Sequence, residues 1–239
     1  MIEPLIPFAI KGFCWYQGEN NCFLNERIEY SYKMKALINY WREKWNSKNL
    51  PFYYVQIAPY YYSKATDRPY TVYSEPAFWE AQSAVLKVPN TVMIATIDLN
   101  DDLADLHPVN KWDVGERLAG AALSKTYKIN NAPAMGPVFK SAFKNGNTFV
   151  IDFDYKGKGL KSKDGEPLNC FEVADIHGDY HEAVAKINNN KVYVFAEDVS
   201  DPYSVRFAWR EDAKPNLVNS AGLPTLPFRT NNPIVENFY

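Results

Sequence analysis

The chain has 239 residues, 46% of them hydrophobic and 15% aromatic, enough apolar material to bury a sizeable core as one large domain or two small ones. Its formal net charge is −2, with lysines and arginines scattered singly, which excludes the basic footprint of a protein that grips a phosphate backbone. No apolar run reaches the length of about 18 residues that a membrane-spanning helix needs, so neither nucleic acid nor membrane insertion is expected.

In chain order, the opening Met1-Ile2-Glu3-Pro4-Leu5-Ile6-Pro7 lacks a basic start and is broken by prolines, which does not fit a signal peptide. Apolar runs predict strands at 8–15, 52–57 and 91–97. Between them, 26–45 carries apolar residues at helical spacing (Ile28, Tyr32, Leu37, Trp41, Trp45), and 74–87 reads as a second helix with Glu75-Pro76 in its first turn. A third helix is predicted over 109–127. This alternation is the pattern of βαβ units and a parallel sheet. Right-handed crossovers would bring Gln17, Pro59-Tyr60-Tyr61-Tyr62 and His107 to one rim. After Asn130-Asn131-Ala132-Pro133 the texture changes. Stretches at 148–155, 191–196 and 205–209 alternate polar and apolar, separated by Asn145-Gly146, Asp164-Gly165 and Asn188-Asn189-Asn190, which are hairpin signals. The expected organisation is therefore an α/β part over 1–132 and an antiparallel β region over 133–239, closed by a proline-rich tail (Pro224, Pro227, Pro233) wrapping back as extended coil.

The residues with the clearest chemistry are Asp105-Leu106-His107, followed by Pro108 at a helix start. A serine esterase needs a neutral histidine to activate a hydroxyl, a carboxylate to fix the histidine tautomer, and donors aimed at the developing oxyanion. His107 and Asp105 can supply the first two. The competing reading makes Asp105 an N-cap and His107 a helix-start residue. In Trp15-Tyr16-Gln17-Gly18-Glu19-Asn20-Asn21, the Gln17 amide at a strand end is a candidate oxyanion donor, and Gly18 permits close backbone approach. Trp15, Tyr60, Tyr61 and Trp112 could stack on a sugar ring, although loop aromatics more often simply pack. His177 and His181 are four apart, but their Gly-broken surroundings favour a solvated loop over a metal site. Three cysteines, Cys14, Cys22 and Cys170, show no disulfide or zinc spacing; Cys14 reads as an inert core thiol. Asp98, Asp101 and Asp102 read as a solvated acidic loop, with a calcium role as the alternative.

Several segments resemble the sialate O-acetylesterases of the SGNH (GDSL-like) hydrolase superfamily. They are Ile2-Glu3-Pro4-Leu5-Ile6-Pro7-Phe8-Ala9-Ile10-Lys11-Gly12, the string from Trp15 to Asn21, Asp105-Leu106-His107-Pro108 with Lys111 and Val114-Gly115-Glu116-Arg117-Leu118-Ala119, Val205-Arg206-Phe207-Ala208-Trp209, and Gly222-Leu223-Pro224-Thr225-Leu226-Pro227-Phe228-Arg229-Thr230. The resemblance implies a three-layer α/β fold with a flavodoxin-like parallel sheet, incomplete on its N-terminal side, followed by the β region. It implies a carbohydrate O-acetylesterase acting on sialic acid or a related acetylated sugar without metal or organic cofactor. His107 would be the base and Asp105 its orienting carboxylate. Gln17, Gly18, Glu19 and Asn20 would form the oxyanion and pocket side, Asn20 standing where the family usually has a small serine. The family's Gly-Gln-Ser-Asn type serine motif and Gly-Gly-Thr type block match nothing here, so the serine is expected upstream of this chain. The rival expectation is a non-catalytic carbohydrate-binding module or inactive esterase fragment. A sugar esterase would suit the periplasm or cell exterior, and an incomplete sheet would leave the strand at 8–15 as an edge open to self-association.

Overall fold

The computed structural model describes residues 2–6, 8–65, 68–129 and 133–239, the side chains of Val235 and Glu236 excepted. Met1 and Pro7 of the opening segment, and the expected boundary at Asn130, Asn131 and Ala132, lie outside them.

The first part holds β1 (Phe13–Trp15), α1 (Glu19–Phe23), α2 (Ile28–Lys44), β2 (Phe52–Val55), α3 (Ser74–Ala84), β3 (Thr91–Ile94) and α4 (Trp112–Lys125). The three strands form a parallel sheet in the order β1-β2-β3 among the described residues. Every residue of β2 is buried, because helices cover both faces. On one face Phe52 packs on Trp41 of α2, with ring centroids 5.9 Å apart, and the Tyr54 hydroxyl donates to the Gln82 carbonyl of α3 at 2.8 Å. On the other, Tyr53 and Thr126 hydroxyls lie 2.6 Å apart at the end of α4, and Val55 and Ile94 cluster with Val114 and Leu118. Sealing one side chain of this size from water contributes about 1.5–3 kcal/mol.

The predicted strands were longer than those found, and the expected helix over 26–45 is found as α2 (Ile28–Lys44), preceded by the short α1, which the sequence did not suggest. The buried face of α2 carries Tyr30, Met34 and Ile38, whereas Tyr32 is 41% exposed, so the core-facing stripe is rotated from the one the spacing suggested. Outer strand β1 packs Phe13 and Trp15 on Trp41, at 4.9 and 5.6 Å between ring centroids. Its other face is uncovered, and Cys14 is exposed, not the core thiol expected, because α4 lies over β2 and β3 and does not reach β1.

The remainder is antiparallel. Its strands are β4 (Val138–Asn145), β5 (Thr148–Asp154), β6 (Leu160–Ser162), β7 (Phe171–Ala174), β8 (Tyr180–Glu182), β9 (Val184–Asn188), β10 (Lys191–Phe195), β11 (Ser204–Phe207), β12 (Leu217–Asn219) and β13 (Phe228–Arg229), followed by α5 (Pro233–Asn237). They pair as β4-β5-β10-β9, β13-β11-β7-β8 and β12-β6. Two expected hairpins form: Gly146 turns β4 into β5 with φ 63°, and Asn189 and Asn190, at φ 49° and 58°, turn β9 into β10, the positive angles of a tight hairpin turn. Asp164-Gly165 makes a turn but no hairpin, since β6 pairs with distant β12.

One apolar core runs from Cys22 to Phe238 through both parts. Arg229 clamps Glu80 of α3 through two hydrogen bonds of 2.9 Å, and Glu211 accepts the Ser63 backbone N–H at 3.0 Å. The tail wraps back as expected but closes with α5 in place of extended coil, the Tyr32 hydroxyl donating to the Asn237 carbonyl at 2.9 Å.

Candidate functional site

The loops that follow β1, β2 and β3 meet at one end of the sheet. After β1 the chain must turn sharply into α1, and Gly18 makes the turn with φ 156°. A Cβ there would stand 2.8 Å from Ile57 Cγ2 and 3.0 Å from Phe78 Cε1, so the loop lies wedged between the end of β2 and α3. Tyr30 ties it from below, its hydroxyl donating to the Gln17 carbonyl at 3.1 Å. The Gln17 side-chain amide donates to Asn21 Oδ1 at 2.5 Å, and Asn21 passes a hydrogen bond to Glu26 at 2.8 Å. One of the two amide hydrogens of the expected oxyanion donor is therefore used inside its own loop. Glu19 Oε2 accepts the Gly18 N–H at 3.0 Å, and Asn20 is exposed at the start of α1.

The loops after β2 and β3 are laced together. Tyr61 N–H donates to the Leu103 carbonyl at 2.9 Å, and the Asn100 amide donates to Pro59 and Asp105 carbonyls at 2.7 and 3.2 Å. Beneath them Glu75 is fully buried. Its Oε2 accepts the Tyr60 N–H at 3.0 Å, while Oε1 has no partner among the described residues. Burial pushes its pKa well up, the Tyr60 amide opposing and the Glu211 and Glu19 carboxylates reinforcing the rise. Asp98, expected in a solvated loop, instead forms a two-pronged pair with Arg117 at 2.7 and 2.8 Å. Burial alone would raise its pKa, but the Arg117 hydrogen bonds and charge outweigh it and hold the carboxyl low.

Asp105 and His107 sit on this loop and are both exposed. Asp105 Oδ1 accepts the backbone N–H of His107 at 2.7 Å, so the carboxylate braces the histidine through its main chain. Among the described residues the imidazole makes no hydrogen bond to it. Just ahead of α4, Asn110 and Asp113 hold each other, Asn110 Oδ1 accepting the Asp113 N–H at 3.2 Å and Asp113 Oδ2 accepting from the Asn110 side-chain amide at 2.9 Å. The Lys111 ammonium donates to the Pro108 carbonyl and lies 5.7 Å from the Tyr16 ring centroid.

These loops enclose a solvent-open pocket of about 260 Å³ lined by Tyr16, Glu19, Leu106, His107, Pro108 and Lys111. Burial and the Glu19 charge raise the Tyr16 phenol to about 12, so at neutral pH it is a protonated donor. Of the residues expected at the site, His107 and Glu19 line this pocket, and Gln17, Gly18, Asn20 and Asp105 do not. Trp112, 79% exposed, stands on the adjoining turn with its indole N–H on Glu116 at 3.0 Å. Trp15 packs on Trp41, Tyr60 packs edge-on against Phe23 and Tyr62, and the Tyr61 ring lies under the Lys64 ammonium; none of the three lines the pocket. Tyr16 and Lys111 were named only among the matched pieces of sequence, with no role at the site. A groove of about 610 Å³ between α3 and the β region is larger but contains none of the expected site residues.

His181 is on strand β8 and not in a solvated loop, its Nδ1 2.6 Å from Asp198 and its Nε2 3.7 Å from Asp175. Among the described residues no group of three or more His, Cys, Asp or Glu side chains could hold a metal ion.

A parallel sheet with a polar pocket at the loop end of its strands is the arrangement by which α/β proteins bind ligands. The chain belongs to the carbohydrate esterase family of sialic acid-specific acetylesterases, whose family model matches residues 3–124. It is 31% identical to a sialate O-acetylesterase of Mus musculus over 228 residues, 87% of this chain and 41% of that protein. It is 33% identical to one of Rattus norvegicus over 156 residues, 59% and 28% of the two. Among solved structures it is similar to a carbohydrate acetylesterase from Xanthomonas citri, with a TM-score of 0.88 and 36% identity over 97% of this chain and 52% of that one. The chain thus spans about half or less of the length of these relatives. Among the described residues no helix is long and apolar enough to cross a membrane.

Proposed function

We propose that this chain is the base-bearing part of a carbohydrate O-acetylesterase that removes acetyl groups from sialic acid or a related acetylated sugar, with a Ser-His-Asp mechanism whose serine comes from polypeptide outside this sequence. The observation that carries this reading is the gathering of His107, Glu19, Tyr16 and Lys111 around one open pocket in a chain whose family is that of acetylesterases. The serine oxygen attacks the acetyl carbon and its proton passes to His107. Collapse of the adduct breaks the bond to the sugar oxygen, which takes the proton from His107. Water then attacks the acyl-enzyme, again giving its proton to His107, and acetate leaves as the serine is restored. Asp105 Oδ1 is used on the His107 backbone, which leaves Oδ2 to orient the imidazole. The second Gln17 amide hydrogen faces the oxyanion together with donors from the serine-bearing segment. Trp112 is the aromatic left to stack on the sugar. The incomplete flavodoxin-like sheet leaves β1 as an edge for self-association, and action on external glycans suits the periplasm or cell exterior.

A non-catalytic carbohydrate-binding role is the second reading, favoured by the absence of any Ser, Thr or Cys among the pocket residues. Hydrolysis of an aryl acetate and of an O-acetylated sialic acid separates the two. Residues 1–239 alone should work at background rate. A longer polypeptide carrying the serine motif should be active and lose on the order of 10⁴–10⁶-fold of its turnover on His107→Ala. Turnover by the long form that survives His107→Ala would overturn the assignment of the base, and His107-dependent turnover by the short chain would overturn the missing nucleophile.

A further inference from the structure

The loop that carries His107 has little packing of its own to hold it. From Asp101 to His107 only Leu103 and Leu106 are half-buried, and Asp101, Asp102, Ala104, Asp105 and His107 are exposed. Such a loop keeps one shape only where hydrogen bonds fix its backbone. Asn100 stands at its foot, and the foot is firm. Leu99 is buried with Val55, Ile94 and Val114, its N–H on the Thr96 carbonyl at 2.9 Å. One Asn100 amide hydrogen goes to the Pro59 carbonyl at 2.7 Å and the other to the Asp105 carbonyl at 3.2 Å, which uses both donors of the side chain. The Pro59 carbonyl shares its peptide group with the Tyr60 N–H, and buried Glu75 holds that N–H from below at 3.0 Å. Hydrogen bonds therefore run without a break from a core carboxyl, through this peptide group and the Asn100 amide, to Asp105, whose Oδ1 accepts the His107 N–H at 2.7 Å.

We propose that Asn100 is the positioning residue of the His107 loop, its amide tying the residue that braces the base to a peptide group anchored in the core. This rests on the reading of His107 as the base. Asn100 does not line the pocket and touches none of the reacting atoms; it acts through Asp105. Proton transfer depends steeply on where the base stands, so that a displacement of about 1 Å lowers the rate on the order of 10²-fold, whereas binding of the sugar is left largely alone.

Two measurements test it. In residues 1–239, Asn100→Ala should quicken amide hydrogen exchange about five- to tenfold, as expected for one lost hydrogen bond, at His107 and at Tyr61, whose N–H donates to the Leu103 carbonyl. Exchange should stay unchanged at Gln56, whose N–H donates to the Ile94 carbonyl at the end of the sheet. In the longer polypeptide with the serine motif, hydrolysis of an O-acetylated sialic acid should lose about 10- to 100-fold in kcat, with KM held within about twofold. Asn100→Asp keeps the size but turns oxygens toward both carbonyls, and should act in the same way, so that if one variant fails to fold the other decides. If the longer polypeptide needs His107 while the Asn100 variants keep their kcat, the base stands and the positioning role falls. If exchange quickens everywhere alike, or KM rises with kcat unchanged, Asn100 is a general brace and the role again falls. If turnover survives His107→Ala, the base reading fails and takes this role with it.

Discussion

Glu75 should make the protein lose stability as the pH rises through a range where most proteins gain it. It is fully buried beneath the two laced loops, one oxygen on the Tyr60 N–H and the other without a partner. Burial, reinforced by Glu211 and Glu19, raises its pKa well above the usual carboxylate value. The folded protein therefore keeps the proton over a range in which the unfolded chain, with a glutamate pKa of about 4.3, has released it. Its contribution is full below that value and is lost as pH rises toward the folded pKa, at about 1.4 kcal/mol for each pH unit in between. Glu75→Gln imitates the neutral acid, can still accept from Tyr60, and has no proton to lose. Urea midpoints for both proteins, followed as the pH is raised from about 4, should show the variant gaining steadily on the parent until Glu75 ionises in the fold. Near pH 4.5 the two should differ by less than about 1 kcal/mol, because the acid is then neutral in the fold and nearly half protonated in the unfolded chain. The other titratable groups near it, Cys22, Tyr62, Glu19 and Glu211, are common to both proteins, so the difference isolates Glu75. Parallel stability curves would refute the reasoning, since they would mean that Glu75 is already ionised in the fold.

Gly18→Ala puts a Cβ 2.8 Å from Ile57 Cγ2 at φ 156°, and should destabilise by about 2–4 kcal/mol through overpacking and backbone strain; a loss under about 0.5 kcal/mol by urea unfolding would show that the loop yields. Arg117→Met leaves Asp98, whose side chain is 13% exposed, to the longer Lys163 contact at 3.4 Å, and should cost about 2–3 kcal/mol, with Asp98→Asn in the same chain restoring part of it; additive losses would disprove the coupling. Because the folded Asp98 pKa is held low, the parent's advantage over this double variant should be present above about pH 4 and fade as the pH falls toward the folded value. His107 is exposed, so His107→Ala should change the thermal midpoint little, within about 0.5 kcal/mol; a large drop would assign the imidazole a structural task. The uncovered edge of β1 should give concentration-dependent association by light scattering, reduced by Cys14→Lys; a monomer at all concentrations would remove that edge as an interface.

The parallel sheet was legible in the sequence because β2 and β3 are continuous apolar runs, and only strands covered on both faces tolerate such runs. Strand β1 looked the same, yet its Cys14 face is open, for coverage depends on where α4 packs, which no local pattern encodes. The face of α2 was misread for a related reason. Trp41 serves the outer strand while Tyr30, Met34 and Ile38 reach the centre, so aromatic residues occupy more than one side of the helix and blur the period. Asp164-Gly165 was recognised as a turn, but its strand partner lies some way along the chain at Leu217–Asn219. At the site, a spacing of two between Asp105 and His107 permits both a carboxylate on an imidazole and a carboxylate on a backbone N–H. The fold uses the second, which fixes the loop and still presents the imidazole to solvent. Tyr60, Tyr61 and Tyr62 could not be ranked as core or surface, since a tyrosine suits either, whereas Tyr16 sits where the chain leaves β1 for the rim. Lys111 was legible only as part of a matched string, and the start of α4 is what sets it beside His107 at the pocket. A residue type can announce a base, but which charged groups stand beside it is decided by helix placement, which no local pattern encodes.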